Sequence, residues 1–123
     1  MSRDGAIDVL PYWWNASVAD AKLRYYLSYR NRGTPSDKVT LFRDVLGFRP
    51  DRLEVLRSAL IRHAGANRAV LYEARSGWRT YNVVGPLRGP SGASIDQLVT
   101  AWTISRGSIT PWNATAFPQR RRR

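Results

Sequence analysis

Apolar residues recur every three to four positions in the first half of the chain and alternate with polar residues in the second half. The helical spacing covers residues 18–29, 34–47 and 50–63. Runs rich in Val, Ile, Thr, Tyr and Trp, separated by Gly, Pro and Ser clusters, predict strands near residues 69–74, 78–84, 95–104 and 109–117. This order predicts an α+β fold, in which about three N-terminal helices pack on one face of a four-stranded antiparallel sheet.

Local signals define where the first two helices begin and end. Ser17 and Asp20 form a capping-box pattern for the first helix. Thr34 as N-cap and Pro35 at the first helical position start the second helix, and Gly47 ends it in a left-handed cap. The apolar stripes of the three helices predict core positions at Ala19, Leu23, Tyr26, Leu27, Phe42, Val45, Leu46, Leu53, Leu56, Leu60 and Ile61.

The helices cover only one face of the predicted sheet, so the other face is free for a ligand or partner. Thr100 and Thr115 are expected on this uncovered face. Strand alternation places Leu98 and Trp102 on the same face as Thr100. Polar groups beside a large aromatic residue are suited to a binding site on an open sheet.

Length and composition predict one small domain without metal or disulfide support. Residues 1–16 form an irregular lead-in, 17–118 the α+β domain and 119–123 a basic tail. The absence of Cys excludes disulfides, thiolate catalysis and Cys-based metal sites, and the single His63 leaves little for a transition metal. No cofactor and no metal are therefore expected. No apolar run is long enough for a membrane span, so we expect a soluble protein that does not act in a membrane.

The net charge of +11 favours a polyanionic partner, above all nucleic acid. The tail contributes four of these charges, so about +7 belongs to the rest of the chain. An anionic membrane surface or an acidic protein is the alternative partner. Of the twenty basic residues, eighteen are Arg, and Lys22 and Lys38 are the only lysines. Their presence in an Arg-rich chain indicates positions at which the planar guanidinium would not serve.

Several short motifs occur in a distinctive order. They comprise a Lys-Leu-x-x-Tyr-Leu helix, a Lys-x-x-x-Phe-x-x-x-Leu-Gly-Phe helix, a Tyr-x-Val-x-Gly strand, a Gly-Pro-x-Gly turn, a Val-Thr-x-Trp-x-Ile strand and a final Ala-Thr-Ala-Phe-Pro. They lie at residues 22–27, 38–48, 81–85, 89–92, 99–104 and 114–118. Over residues 20–118 the chain thereby resembles a small bacterial domain family of unassigned biochemistry, found at the toxic ends of polymorphic toxins.

That family in turn resembles the barnase–EndoU–colicin–RelE group of metal-independent ribonucleases. The resemblance implies a toxin that cleaves RNA in a bacterial cytoplasm and is neutralised by a cognate immunity or antitoxin protein. Lys22 and Lys38 both match lysines of the family pattern. The chain departs from the pattern at Pro111-Trp112, where the family usually has Pro-Arg, and Arg106 is a candidate substitute for that Arg.

Metal-independent RNA cleavage needs proton transfer and stabilisation of charge on the phosphate. The candidate catalytic residues are Lys22, Lys38, Thr100 and Thr115. The candidate substrate-binding residues are Arg79, Tyr81, Trp102 and Arg106. The general base is left open among His63, Asp96, Glu73 and Lys22, whose pKa a cluster of cations would lower.

Two other functions fit the same residues. A non-catalytic RNA- or DNA-binding module needs the charge and the aromatic residues but no proton-transfer group, and Trp112 in place of Arg favours it. A basic interaction module that binds an acidic protein needs only the charge.

Overall fold

The structure, a computed structural model, describes residues 8–28 and 38–119. A 3₁₀ turn (Trp13–Asn15) leads into helix α1 (Asp20–Ser28), and a π-helical segment (Thr40–Val45) and helix α2 (Leu53–Ala66) follow. The strands are β1 (Ala69–Arg75), β2 (Trp78–Arg88), β3 (Ser94–Ile104) and β4 (Trp112–Pro118). They form one antiparallel sheet in the order β1-β2-β3-β4, with the helices packed against it, so the predicted α+β class is confirmed.

Helix α1 begins at Asp20, and Ser17 is not its cap. The backbone of Ser17 instead forms a parallel bridge to β4: its N–H donates to the carbonyl of Pro111 over 2.8 Å, and its carbonyl accepts from the N–H of Asn113 over 3.0 Å. The capping-box prediction is therefore wrong, and Ala19, expected in the core, is exposed before the first turn. The predicted start of the second helix at Thr34 and Pro35 lies outside the described residues.

The π-helical segment changes which side chains of the second helix are buried. The N–H of Leu46 donates to the carbonyl of Leu41 over 3.0 Å, which is five residues back rather than four. Phe42 and Leu46 are fully buried as predicted, but Val45 is 47% exposed, because the wider turn rotates it out of the core. The segment ends at Gly47 with φ +86°, the left-handed cap that the sequence predicts.

Helix α2 forms the centre of the helical layer. Leu56 and Leu60 are fully buried, and Leu53 and Ile61 pack at the edge of the same core. Arg57 joins α2 to α1, since its guanidinium contacts Asp20 and donates to the carbonyl of Val18 over 3.1 Å. The helix continues to Ala66, beyond the predicted end near His63.

Strand β3 is buried on both faces. Leu98, Trp102 and Ile104 belong to the core under the helices, and Thr100 lies among them with no exposed surface. The alternate residues Val99, Ala101 and Thr103 are also buried, but lie outside the core cluster on the opposite side, here called the outer face. The prediction that Leu98, Thr100 and Trp102 lie on the uncovered face is wrong, because these larger side chains of β3 fill the core.

Strand β4 contains a bulge that decides where its side chains lie. Ala101 pairs with Thr115 and Trp102 with Asn113, so Ala114 is an extra residue without a partner on β3. In a regular strand, residues three apart point to opposite faces. The extra residue places both Trp112 and Thr115 on the outer face, so the predicted position of Thr115 agrees with the structure.

The two edges of the sheet differ. Ser17, Lys22 and Lys38 all hydrogen-bond to the backbone of edge strand β4. Strand β1 forms the other edge and pairs with β2 alone in the sheet. It exposes a run of three apolar side chains, Val70, Leu71 and Tyr72, at 58%, 50% and 68%.

Candidate functional site

Three candidate catalytic residues that are distant in sequence line one pocket at the β4 edge. Helix α1 contributes Lys22, the helical residues directly before the π-helical segment contribute Lys38, and β4 contributes Thr115. The pocket has a volume of about 380 Å³ and is completed by Ala21 and Tyr25. We call this set of five residues the lysine pocket.

The two ammonium groups are anchored to the backbone of β4. Lys22 Nζ donates to the carbonyl of Ala114, the bulge residue, over 2.9 Å, and Lys38 Nζ donates to the carbonyl of Ala116 over 2.6 Å. These carbonyls are two residues apart, about 7 Å along a strand. Each ammonium has three N–H donors, so these bonds leave further donors on each for an anionic ligand.

Lys38 is electrostatically unusual. It is half-buried, and its ammonium lies 5.8 Å from the centre of the Phe117 ring. Burial lowers the pKa of Lys38 below its ordinary value, and the nearby charge of Lys22 lowers it further. A lysine of lowered pKa exchanges a proton near neutral pH more readily than an exposed one.

Thr100 and Trp102 do not reach the lysine pocket. The Thr100 hydroxyl lies 3.0 Å from Nδ1 of His63 and accepts from the indole N–H of Trp102 over 2.8 Å, and all three residues are buried. Nε2 of His63 lies 3.1 Å from the carbonyl of Gly85, which can only accept, so Nε2 carries the proton and Thr100 donates to Nδ1. We call these three side chains the His63 network.

The environment of His63 favours its neutral form. Burial lowers the pKa of His63, and the carbonyls of Gly85 and Leu98 offset part of that effect. Every polar atom of the network has a partner within the core. The network therefore supports the fold, and the expectation that Thr100 and Trp102 lie on an open face beside a substrate is wrong.

The candidate arginines and Tyr81 lie apart from the lysines. Arg79 and Tyr81 pair with Ile104 and Trp102, so they lie on the helical side of the sheet, where Tyr81 packs against the core. Arg79 is exposed. Arg106 is in the β3–β4 turn, with its Cβ 3.0 Å from the position that a Cβ on Gly77 would take. It therefore covers the β1–β2 turn.

A second pocket lies on the outer face, where the sequence predicted a site but from other residues. It has a volume of about 440 Å³ and is lined by Glu73, Arg75, Ser76, Trp78, Thr80, Thr103 and Trp112. The rings of Trp78 and Trp112 lie 6.4 Å apart at 87°, and their residues are 47% and 41% exposed. We call this lining the tryptophan pocket. The one signal for it in the sequence is Trp112, which stands where the resembled family has Arg.

Residues 10–120 match the family model described as a domain of unknown function (DUF6883), and the chain belongs to this family. No curated protein and no solved structure matches the chain. None of the helices within residues 8–28 and 38–119 has the length and apolar character of a membrane span. In the same ranges, no group of three or more His, Asp or Glu side chains is arranged to hold a metal ion.

Proposed function

We propose that this protein is a toxin domain that cleaves cellular RNA without a metal, with the lysine pocket as its active site. The observation that carries the proposal is the convergence of Lys22, Lys38 and Thr115 on one pocket, although up to 93 positions separate them. These are the only two lysines of a chain with a net charge of +11. A pair of cations in a basic protein is suited to a phosphate group.

In the proposed reaction, the ribose 2′-OH attacks the adjacent phosphorus. The bond from phosphorus to the 5′-oxygen breaks, the 2′-OH loses its proton, and the leaving 5′-oxygen gains one. Lys22 holds the phosphate through its remaining N–H donors, and the Thr115 hydroxyl orients it. Stabilisation of the developing negative charge by fixed cations is the largest contribution such a site offers.

Lys38 is the proposed proton-transfer group. Its lowered pKa favours proton exchange relative to an exposed lysine, and it lines the same pocket as Lys22. His63 would be the usual choice near neutral pH. It is only 3% exposed, and both ring nitrogens lie within hydrogen-bond distance of buried groups. His63 therefore has no route to a substrate in this arrangement.

The proposal includes a cellular context. A domain that destroys cellular RNA acts in a bacterial cytoplasm and needs a cognate immunity or antitoxin protein to protect its producer. The charge of +11 favours an acidic inhibitor that covers the lysine pocket.

A non-catalytic nucleic-acid-binding module is the second candidate. It is favoured by the composition of the lysine pocket, whose five residues include no carboxylate and no imidazole. The remaining candidate, a module that binds an acidic protein, is favoured by the net charge alone.

Incubation of the purified protein with total bacterial RNA, with and without a chelator, tests the proposal. We expect cleavage in both conditions, and a 10²- to 10⁴-fold lower rate for Lys38→Ala, the size of a lost proton-transfer group. Arg24→Ala is the matched control, because it removes an exposed cation from the same helix as Lys22. Intact RNA with the folded wild-type protein, or cleavage that stops with chelator, contradicts the proposal.

Lys22→Arg separates an enzyme from a binder. Arginine keeps the positive charge but replaces the compact ammonium with a larger planar guanidinium. If Lys22 acts as a compact phosphate clamp, this variant should lose most of the cleavage rate and keep most of the affinity for RNA. Wild-type cleavage rates in both Lys22→Arg and Thr115→Ala would instead contradict the lysine pocket as the active site, whereas RNA binding without cleavage by the wild type would favour the binding module.

A further inference from the structure

We infer that the tryptophan pocket binds an unpaired base of single-stranded RNA, as a second contact point for the RNA proposed to occupy the lysine pocket. This inference rests on RNA being the partner. It adds a site that is formed by different residues from the catalytic candidates, and it restricts the ligand to RNA with unstacked, accessible bases.

The ring geometry fits a flat ligand. Trp78 and Trp112 come from neighbouring ends of β2 and β4, and their rings meet at 87° with 6.4 Å between their centres. A planar base can stack on one ring while its edge meets the other. Nearly half of each residue is exposed, although indole rings are strongly apolar. Aromatic side chains exposed in this way on an open sheet are what proteins use to stack unpaired bases.

Polar residues in the lining of the tryptophan pocket can bond to the edge of a base. The hydroxyls of Thr80 and Thr103 lie 2.9 Å apart, and both residues line the pocket. One hydroxyl donates to the other, so the pair keeps one hydrogen and several lone pairs for a ligand. Such a pair can meet a donor or an acceptor, which suits a site that accepts more than one base.

The charge around the pocket suits an RNA strand. Glu73 lines the pocket, but its carboxylate is paired with Arg75. The backbone turn beside the pocket carries Arg106, which lies over Gly77. Arg75 thus compensates the negative charge of Glu73, and Arg106 is a second arginine close to the expected path of the RNA phosphates.

The bulge at Ala114 joins the two pockets. Because of this extra residue, Trp112 and Thr115 point to the same outer face, about 7 Å apart, since their partners Thr103 and Ala101 are two residues apart on β3. The carbonyl of Ala114 also anchors Lys22. An RNA strand that follows β4 can therefore place a base in the tryptophan pocket and a nearby phosphate at the lysines.

Binding of an eight-nucleotide, 2′-O-methylated RNA tests the inference, because this probe lacks the 2′-OH and cannot be cleaved. Its affinity is compared with that of the matching duplex, for the wild type and for Trp78→Ala and Trp112→Ala. Loss of one stacked base corresponds to a decrease of about 5- to 150-fold. We expect this decrease for the single strand, little change for the duplex, and partial recovery with Trp112→Phe.

Trp14→Ala is the matched control, because Trp14 is 68% exposed and lies outside the pocket. The salt dependence gives a second readout. The slope of log affinity against log salt should be the same for Trp78→Ala and Trp112→Ala as for the wild type. Lys22→Ala should decrease this slope by the contribution of about one phosphate contact. Three outcomes would overturn the base site. They are wild-type affinity in both pocket variants, an equal loss of affinity in Trp14→Ala, and a preference for the duplex. If the lysine variants still abolish cleavage in that case, the proposed function stands without it.

Discussion

The hydroxyl of Thr100 illustrates how a polar residue with the chemistry of a catalytic group can be structural. It satisfies Nδ1 of His63 and the indole N–H of Trp102 at once, in a part of the core without solvent contact. Removal of this hydroxyl leaves both nitrogens without a partner. Loss of a hydrogen-bond partner lowers the stability of the protein much more at a buried site than at a surface one.

We therefore expect Thr100→Val to lower the free energy of unfolding by about 1–3 kcal/mol, the cost of unsatisfied buried polar groups. Under conditions where the variant is folded, RNA cleavage should persist. Thr115→Val is the counterpart on the outer face, and should lose cleavage with a smaller loss of stability. Urea denaturation and the RNA assay measure the two effects. Loss of cleavage in folded Thr100→Val would contradict this assignment.

His63 makes stability depend on pH in a defined direction. Its pKa is lowered in the folded protein, so below about pH 6.5 the unfolded chain binds a proton that the folded protein excludes. The free energy of unfolding should therefore be maintained above about pH 6.5 and fall as the pH decreases below it, by at most about 1.4 kcal/mol per pH unit.

His63→Gln tests this dependence, because an amide can donate to Gly85 and accept from Thr100 without titrating. Urea denaturation between pH 7.5 and 5 should show a steeper loss in the wild type than in the variant. Equal losses would assign the pH dependence to other groups.

At the scale of the elements, the β2–β3 turn is fastened to the end of the π-helical segment. Ser91 donates from its N–H to the carbonyl of Leu46 over 3.0 Å, and from its hydroxyl to the carbonyl of Val45 over 2.7 Å. Gly89 lies so close that a Cβ there would overlap the carbonyl oxygen of Leu46. The turn thereby holds the π-helical segment at one end of the sheet.

Gly89→Ala should consequently destabilise the protein by about 3 kcal/mol, the upper range for inserting an atom into filled space. Gly92→Ala in the same turn is the control. Its φ of +92° disfavours a side chain, but no atom lies within 4 Å, so we expect about 1–2 kcal/mol. Equal losses of unfolding free energy in the two variants would show that the close approach to Leu46 is not limiting.

The sequence predicts the types of the elements much better than their faces. Helical spacing and turn residues give the α+β class and the left-handed cap at Gly47. The face of β3 is not predictable in this way, because both of its alternating sets are buried and the apolar pattern gives no preference. The bulge at Ala114 carries no signal either, since alanine has no special backbone preference. The residues of the lysine pocket could be predicted from the family resemblance. The tryptophan pocket could not, because it depends on the strand register that brings Trp78 near Trp112.

At the scale of the molecule, the net charge dominates the proposed association with RNA. Each phosphate contact with single-stranded RNA contributes about 0.7 to the slope of log affinity against log salt. Replacement of residues 120–123 with glutamine keeps the chain length and removes four charges. This variant should bind more weakly, with a slope smaller by at most about 3, and should still cleave RNA because about +7 remains.

Fluorescence anisotropy with a labelled RNA between 50 and 300 mM salt measures the slope for the wild type and for the glutamine variant. The Lys22→Ala variant provides a comparison, because it removes one cation from the pocket rather than four from the tail. An affinity that is insensitive to salt would be incompatible with phosphate contacts as the main source of binding.

The unequal edges of the sheet limit how copies of the protein can associate. High salt shortens the range of the repulsion between copies to about 3 Å at 1 M, and the exposed apolar run at residues 70–72 on β1 then becomes available for pairing. On β4, Ser17 and the two lysines already occupy backbone groups. Within residues 8–28 and 38–119, β1 is thus the accessible edge, and a molecule with one such edge can form a closed, two-fold symmetric pair but cannot extend a filament. Salt-induced self-association is therefore expected to end at a dimer, with the lysine pockets of both copies still open to solvent at the far ends of a continuous eight-stranded sheet.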